Sequence, residues 1–227
     1  MSVEVSSEIA RVGWSAVPVG LWAVPQVEGE EQLVASWENL VQDQHMADGG
    51  CYRYRRYSRL LWSDGQLSDL AGNSIYQELV DNPLNGGVQR TFAPIRPQDL
   101  ANPFLHAVIQ RDADLLGLEG DWQVGIHCVR ILARPSRPGL PTPEGIHRDA
   151  ETYTVQHLIG RREIRGGVFT GYSEEKQPVF HWLQIQRWDT LYFQGKLWHS
   201  ATPIESDSDG HRDILLIDFV ELQKPAG

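Results

Sequence analysis

The stretch PTPEGIHRDAETYTVQHLI, residues 141–159, places His147 and Asp149 two positions apart, where turn formers give way to an apolar run. Side chains alternate between the two faces of a strand, so an imidazole and a carboxylate at this spacing project to the same side. One interpretation is a salt bridge or a hydrogen-bonded surface pair. The other is two ligands of a metal site, which requires a third ligand from later in the chain.

A redox-active iron needs its protein ligands on one side, so that neighbouring coordination positions stay free for a cosubstrate and oxygen. Two imidazoles and one carboxylate achieve this, and they form the facial triad of non-haem Fe(II) oxygenases. The second imidazole would come from one of the histidines that follow His147, namely His157, His181, His199 and His211.

The sequence around each candidate favours one of them. His157 continues the first apolar run, which indicates a packed core or supporting histidine, and alternation around His181 indicates a structural role. His211 follows the acidic loop ESDSDG, which would hold a ligand poorly. His199 comes directly after a glycine turn and opens a new strand in LWHSATPI. We therefore expect His147, Asp149 and His199 to be the metal ligands.

Arg212 opens the strongly apolar stretch RDILLIDF. A guanidinium at the inner end of a buried strand is unfavourable unless it is paired. Its partner is either Asp213 or another acid, or the distal carboxylate of a bound 2-oxoglutarate, which matches the planar donor fork of arginine. Following His147, Asp149 and His199 in the chain, Arg212 fits the 2-oxoglutarate interpretation better.

The secondary structure that must position these residues is predicted to change from helical to β along the chain. Helical spacing of apolar residues predicts one helix in GEEQLVASWENLVQDQ and another in PQDLANPFLHAVIQRDADLLGL, with Pro97 in its first turn. From Trp122 onward, short β-branched and aromatic segments alternate with turn signals, which indicates a sandwich or barrel. We expect a mainly β fold with flanking helices, a double-stranded β-helix (jelly-roll, cupin-like) barrel.

We expect the chain to form a single domain over 1–227. A buttress of helices and strands would occupy roughly 1–120 and the barrel core with the metal site roughly 121–222. The basic cluster YRYRRYSR, residues 52–59, alternates arginine with tyrosine. Its period of two predicts a strand with one face in solvent.

Charge and composition restrict the classes of partner that the protein is expected to bind. The formal net charge of −10 disfavours a broad phosphate-binding surface, so no nucleic acid is expected. No apolar run approaches the roughly 20 residues of a membrane span. The N-terminus shows no secretory signal and the two cysteines lack metal-site spacing, so we expect a cytoplasmic protein with a small-molecule substrate. A homo-oligomer is compatible with this composition.

The motifs EGIHRD, then HLI followed by GG, then LWHSATPI and HRDILLIDF occur in one order. In this they resemble the bacterial 2-oxoglutarate/Fe(II) dioxygenases that hydroxylate free or N-substituted L-amino acids, the isoleucine dioxygenase group. The likeness extends from about Arg53 to Phe219 and is densest from Pro143 onward. The residues AET after the aspartate depart from the small or apolar residues that relatives often show, which bears on the substrate.

The resemblance implies a role for each candidate residue. His147, Asp149 and His199 would bind Fe(II), and Arg212 would bind 2-oxoglutarate. In NPLNGGVQRTFAPI, Arg90 lies where members of the family are expected to bind the substrate carboxylate. The alternative for Arg90 is an exposed charge on a strand.

The reaction implied by the resemblance is hydroxylation of an unactivated C–H bond of an L-amino acid by O2, with release of succinate and CO2. Asp149 argues against halogenation, for which that carboxylate would have to be missing. Two other classes remain as alternatives: a cupin-type metal enzyme that does not use 2-oxoglutarate, and a non-catalytic jelly-roll binding module. The first would leave Arg212 without a role, and the second would need no iron.

Overall fold

A computed structural model describes residues 4–63, 65–80, 84 and 86–222 of the chain. Its helices are α1 (Val5–Val12), α2 (Val19–Trp22), α3 (Glu30–Ala35), α4 (Pro97–Leu100) and α5 (Pro103–Leu116), with a 3-10 helix at Ser36–Asn39. Its strands are β1 (Trp14–Val17), β2 (Val41–Gln42), β3 (Arg53–Ser63), β4 (Gln66–Leu70), β5 (Ser74–Ile75), β6 (Arg90–Thr91), β7 (Asp121–Ala133), β8 (Tyr153–Arg162), β9 (Arg165–Gly166), β10 (Phe169–Tyr172), β11 (Pro178–Trp182), β12 (Thr190–Gln194), β13 (Trp198–Ala201), β14 (Ile204–Glu205) and β15 (Gly210–Glu221).

Within the described residues the strands form a large antiparallel sheet, a three-stranded sheet (the small sheet) and the two-stranded pairs β14-β9 and β5-β6. The large sheet has the order β1-β12-β8-β15-β7-β3-β2, with β4 paired to the outer part of β3. The small sheet has the order β11-β10-β13, and its apolar side chains pack with those of β12 around Phe169, Leu191 and Phe193. The expectation of a mainly β fold with flanking helices is confirmed.

The two faces of the large sheet have different neighbours. On β7, Val124, Ile126 and Cys128 pack with the helices in the largest apolar core, which also contains the buried side chains Trp22, Trp37 and Phe104. The intervening residues, such as His127, point to the opposite face, where the candidate site lies. One face therefore contributes stability through apolar burial, while the other lines the cavity of the candidate site.

The helical patterns end earlier than their spacing predicts. The first continues only to Asn39 as a 3-10 turn, because Leu40 is already extended (ψ 149°) and leads into β2. The second is split into α4 and α5. Pro103 cannot continue a helix but suits a first turn, and the Asn102 side chain caps the new helix by accepting from the Phe104 N–H at 2.8 Å.

The segments around Arg90 and around the His147–Asp149 motif contain little regular strand. The segment VQRTFAPI forms only the two-residue strand β6, and β8 begins at Tyr153 rather than at the His147–Asp149 motif. His147 instead forms an isolated antiparallel bridge with His199. None of the helices in the described part of the chain is long and apolar enough to cross a membrane.

Candidate metal centre

The fold brings His147, Asp149 and His199 together, with ligand atoms that all lie within 4.8 Å of one another. Asp149 Oδ2 is 3.6 Å from Nε2 of His199, and Asp149 Oδ1 is 3.9 Å from Nε2 of His147. The two histidines face each other across a backbone bridge, in which each N–H donates to the other's carbonyl at 3.0 and 2.8 Å. Both imidazoles are therefore fixed by the main chain.

Hydrogen bonds also set the tautomer of each imidazole. Nδ1 of His147 donates to the carbonyl of Gly145 at 3.1 Å, and Nδ1 of His199 donates to that of Leu197 at 3.0 Å. A ring that donates from Nδ1 keeps the Nε2 lone pair for a metal, a common arrangement around metal-ligating histidines. Both lone pairs lie on the side of Asp149.

Burial shapes the electrostatics of this cluster. It raises the pKa of the Asp149 carboxyl to about 6, against the opposing effect of His147. Burial also holds the pKa of His199 well below its usual value, and the neighbouring His147 adds to the shift. The buried Asp149 carboxyl and the His199 imidazole thus lie in a site that disfavours their charged forms. A cation between them would favour the ionised carboxylate and the neutral imidazoles that a metal requires.

A glutamine connects the metal cluster to Arg90. Gln77 Nε2 donates to Asp149 Oδ1 at 3.3 Å, and Gln77 Oε1 accepts from Arg90 Nη2 at 2.5 Å. Arg90 is 5% exposed, so the alternative of an exposed strand charge is wrong. Its Nε is buried and has no hydrogen-bond partner, which leaves a donor available to a ligand.

Arg212 is 3% exposed at the start of β15. Its alternative partner, Asp213, projects to the other face, where its carboxylate accepts from Nε and Nη2 of Arg130 at 2.7 and 2.8 Å. Arg212 Nη2 donates to Gln184 Oε1 at 2.9 Å, while its Nε is buried without a partner. Burial, and next the positive charge of Arg161, lower the pKa of Arg212 to about 10. The ion pair with Asp213 is therefore excluded, and Arg212 retains a donor for an anion.

The other histidines after His147 lie outside the cluster. His157 is fully buried and hydrogen-bonded to Asp112 and Thr190, as expected for a packed core histidine. His181 bonds Thr170 in the small sheet, which agrees with the structural role predicted for it. His211 is partly exposed and lies 3.5 Å from Asp213.

Several residues of the site carried no recognisable signal in the sequence. Arg53 and Arg55 line the cavity beside the metal cluster, so the prediction of a solvent-facing arginine strand is wrong for these two. Arg53 donates to Asp43 at 2.7 Å and Arg55 contacts His127. Glu144 brings a buried carboxylate oxygen to 3.5 Å from His147 Nε2. Burial of the arginines could have been inferred only from the pairing of β3 with β7.

The residues present fit Fe(II) and 2-oxoglutarate. Two imidazoles and one carboxylate are the donor set of a facial Fe(II) site, and Arg212 offers an unpaired buried donor on the same cavity. The cavity has a volume of about 160 Å³ and is lined by charged groups together with apolar side chains such as Phe169, Phe193 and Leu216. Its size and polarity suit a small, charged organic molecule.

Solved structures share this architecture over nearly their whole length. The crystal structure of IDO from Bacillus thuringiensis superposes with a TM-score of 0.79 at 22% identity, covering 98% of this chain and 97% of that one. A bsmA homolog from Methylobium petroleophilum gives a TM-score of 0.83 at 26% identity, covering 100% and 97% of the two chains. The expected jelly-roll architecture is confirmed.

The profile of the 2OG-Fe dioxygenase family matches residues 34–218, and the chain belongs to this family. It is an Fe(II)- and 2-oxoglutarate-dependent dioxygenase, as the motifs predicted. Among curated proteins it is similar to the L-isoleucine-4-hydroxylase of Bacillus thuringiensis, with 26% identity over 175 residues, 73% of this chain and 72% of that protein. It is also similar to the 3(1)-hydroxy-L-isoleucine 4-dioxygenase of Pantoea ananatis, with 23% identity and coverage of 96% and 95%.

Proposed function

We propose that the protein hydroxylates a free or N-substituted L-amino acid at an unactivated C–H bond, with conversion of 2-oxoglutarate and O2 to succinate and CO2. Family membership supplies the enzyme class and the cofactors Fe(II), 2-oxoglutarate and O2. The observation that carries the substrate class is the buried donor of Arg90, held at the metal cluster through Gln77. The two curated relatives named for isoleucine derivatives support the same class.

In this proposal His147, Asp149 and His199 hold Fe(II) through Nε2, a carboxylate oxygen and Nε2. Iron held there would activate O2, the oxidant, so that one oxygen atom enters succinate as the keto acid loses CO2 and the other enters the substrate. The hydrogen bonds from the Nδ1 atoms to backbone carbonyls hold both rings in one orientation, with Nε2 towards the metal position. Asp149 contributes the negative charge that offsets part of the charge of the metal.

Arg212 holds the distal carboxylate of 2-oxoglutarate, and Arg90 holds the carboxylate of the substrate. Each arginine has one buried, unpaired Nε and one Nη2 that is fixed by a glutamine. A guanidinium oriented in this way presents its donors to a carboxylate without losing further rotational freedom. The apolar side chains Phe169, Phe193 and Leu216 keep the reacting end of the site poor in water.

We also propose that the chain is organised as one dioxygenase domain over 1–227. The cytoplasmic location, the absence of a nucleic-acid partner and the oligomeric state remain predictions from the sequence.

The proposed function is tested by an aerobic screen of L-amino acids and N-acyl derivatives with Fe(II) and 2-oxoglutarate, in which succinate release and product mass are measured. A product heavier by one oxygen, formed together with one succinate, is the expected result. Replacement of the Arg90 side chain (Arg90→Ala) should raise the KM of the accepted substrate about tenfold or more, since a charge-assisted carboxylate contact is lost. An unchanged KM for every accepted amino acid would contradict the role of Arg90.

A further inference from the structure

Arg161, on β8, is the direct cross-strand neighbour of Arg212 on β15. Directly opposed residues of an antiparallel pair project to the same face, so the two guanidinium groups lie on the same side of the sheet. Gly167 packs against both, since a β-carbon at that position would lie 3.4 Å from Cδ of Arg212 and 3.5 Å from Nη1 of Arg161. Two cations therefore stand side by side at the Arg212 end of the site.

An irregularity in the strand pairing directs Arg161 to this face. In the register of β8 with β15, Gly160 opposes Asp213 and Leu158 opposes Ile214, so Ile159 is an extra residue. In a regular strand Arg161 would share its face with His157 and Ile159, which point to the helices. The bulge reverses this orientation, and such bulges often re-aim a side chain next to a functional site.

The charges of the two arginines have no acidic counterpart. Within the described residues neither forms an ion pair, and the positive charge of Arg161 lowers the pKa of Arg212. Arg161 Nη2 donates to the carbonyl of Gly166 at 2.8 Å, but its Nη1 is buried without a partner, like Nε of Arg212. Adjacent buried cations with unpaired donors repel each other unless an anion lies between them.

We propose that Arg161 and Arg212 together bind the distal carboxylate of 2-oxoglutarate, Arg161 through Nη1 and Arg212 through Nε. A carboxylate accepts hydrogen bonds at both oxygens, so one anion satisfies both unpaired donors. The inference rests on the proposed function, because it takes Arg212 as the residue that holds the cosubstrate. It adds a second binding residue, which the bulge in β8 makes available.

The test is anaerobic calorimetry of the Fe(II)-loaded protein without amino-acid substrate, so that no turnover takes place. The ligands are 2-oxoglutarate and 2-oxopentanoate, which has the same carbon chain but a methyl group in place of the distal carboxylate. Loss of the Arg161 charge (Arg161→Gln) should raise the Kd of 2-oxoglutarate roughly tenfold and leave the Kd of 2-oxopentanoate unchanged. Arg161→Lys should give an intermediate Kd, because it keeps the charge but not the planar donor fork.

Arg162→Gln is the matched control, since Arg162 is the next residue of β8, is exposed and carries the same charge. It should leave both Kd values unchanged. An equal rise with Arg162→Gln would mean that only long-range charge matters, and that would overturn the inference. So would equal weakening of both keto acids by Arg161→Gln and Arg161→Lys, which would indicate a structural role for Arg161.

The same measurements separate this inference from the proposed function. If the wild-type protein binds 2-oxopentanoate as tightly as 2-oxoglutarate, no distal carboxylate is recognised and the role of Arg212 fails as well. If the wild type prefers 2-oxoglutarate and Arg161→Gln retains the full preference, Arg212 acts without Arg161. Only the second-arginine inference is then wrong.

Discussion

Two histidine–aspartate clusters lie on opposite faces of the large sheet. In the cluster formed by His157, Asp112, Tyr192 and Trp22, His157 Nε2 bonds one oxygen of Asp112 at 2.8 Å. Tyr192 donates to the other oxygen at 2.6 Å and accepts from Trp22 Nε1 at 2.7 Å. In the metal cluster, by contrast, the Nε2 atoms of His147 and His199 stand 3.6 to 3.9 Å from the carboxylate oxygens of Asp149.

The two clusters contain the same residue types, a histidine and an aspartate, but differ in how many of their donors and acceptors are already hydrogen-bonded within the protein. The His157 cluster binds α2, α5, β8 and β12 together and uses its donors and acceptors within the protein. The metal cluster keeps its lone pairs free and converging. A buried polar group without a partner is unfavourable, so the open cluster is expected to serve a ligand and the closed one to serve stability.

Removal of the imidazole of His199 (His199→Ala) should have the largest effect. Turnover should be abolished, and Fe(II) affinity should fall by at least about a hundredfold, since loss of a mere supporting partner already costs about ten- to a hundredfold. The free energy of unfolding of the metal-free protein should change by only about 1 kcal/mol. Fe(II) titration, succinate release and urea unfolding measure these three quantities.

His211→Ala is the control, because His211 is a histidine of the same part of the chain that lies outside the cluster. It should keep both iron affinity and turnover near the wild-type values. The reverse pattern, with His211 essential and His199 dispensable, would refute the ligand assignment.

Loss of the Asp112 carboxylate (Asp112→Ala) should lower the stability of the fold and leave metal binding unchanged, the opposite of His199→Ala. It leaves His157 and the Tyr192 hydroxyl buried without their shared partner, and breaking a buried network of this kind costs about 3–5 kcal/mol of unfolding free energy. The Fe(II) affinity of the folded fraction should not change. Asp114→Ala, an exposed position on the same helix, should stay within about 0.5 kcal/mol of wild type. Comparable stability of the two variants would show that the closed cluster is not structural.

Arg212→Lys keeps a positive charge but loses the parallel donors of guanidinium, a change worth about 1.5–3 kcal/mol. The apparent requirement for 2-oxoglutarate should therefore rise by one to two orders of magnitude, at about tenfold per 1.4 kcal/mol. Iron affinity should hardly change, because Arg212 is not a ligand. Equal losses of iron and 2-oxoglutarate binding would assign Arg212 to the stability of the barrel.

The smallest effect is expected from Gln77→Ala, which removes the hydrogen bond to Asp149 but no ligand. Iron affinity should fall about tenfold, at the low end for loss of a ligand's supporting partner. Titration with Fe(II) under anaerobic conditions measures this. An affinity as low as that of His199→Ala would mean that Gln77 contributes far more than orientation.

The sequence indicated the residues that the fold brings together wherever the signal was local. His147 and Asp149 stand two positions apart, and His199 and Arg212 open apolar segments, so each could be recognised from its immediate neighbours. The residues that were missed depend on pairing between distant segments. Burial of Arg53 and Arg55 follows from the position of β3 inside the large sheet. The orientation of Arg161 follows from a bulge in β8, which no short sequence pattern predicts.

The helices show the same limit. The apolar spacing of the N-terminal pattern continues past Asn39, yet the chain turns into β2 there because the edge of the sheet offers it a partner strand, β3. The position of Pro97 at a helix start was predicted correctly, whereas Pro103 was overlooked as the start of a second helix. Tertiary contacts outweighed local propensity at the first site, and at the second a proline interrupts a helix whose apolar spacing runs on through it.

The backbone bridge between His147 and His199 has an energetic consequence for the metal. The two imidazole-bearing segments are held together by main-chain hydrogen bonds, so folding has already reduced the conformational freedom that a metal would otherwise have to remove. Such a preorganised centre differs from small zinc domains, in which metal binding and folding are a single event. A metal bound here would therefore lose little of its binding free energy to ordering these two segments.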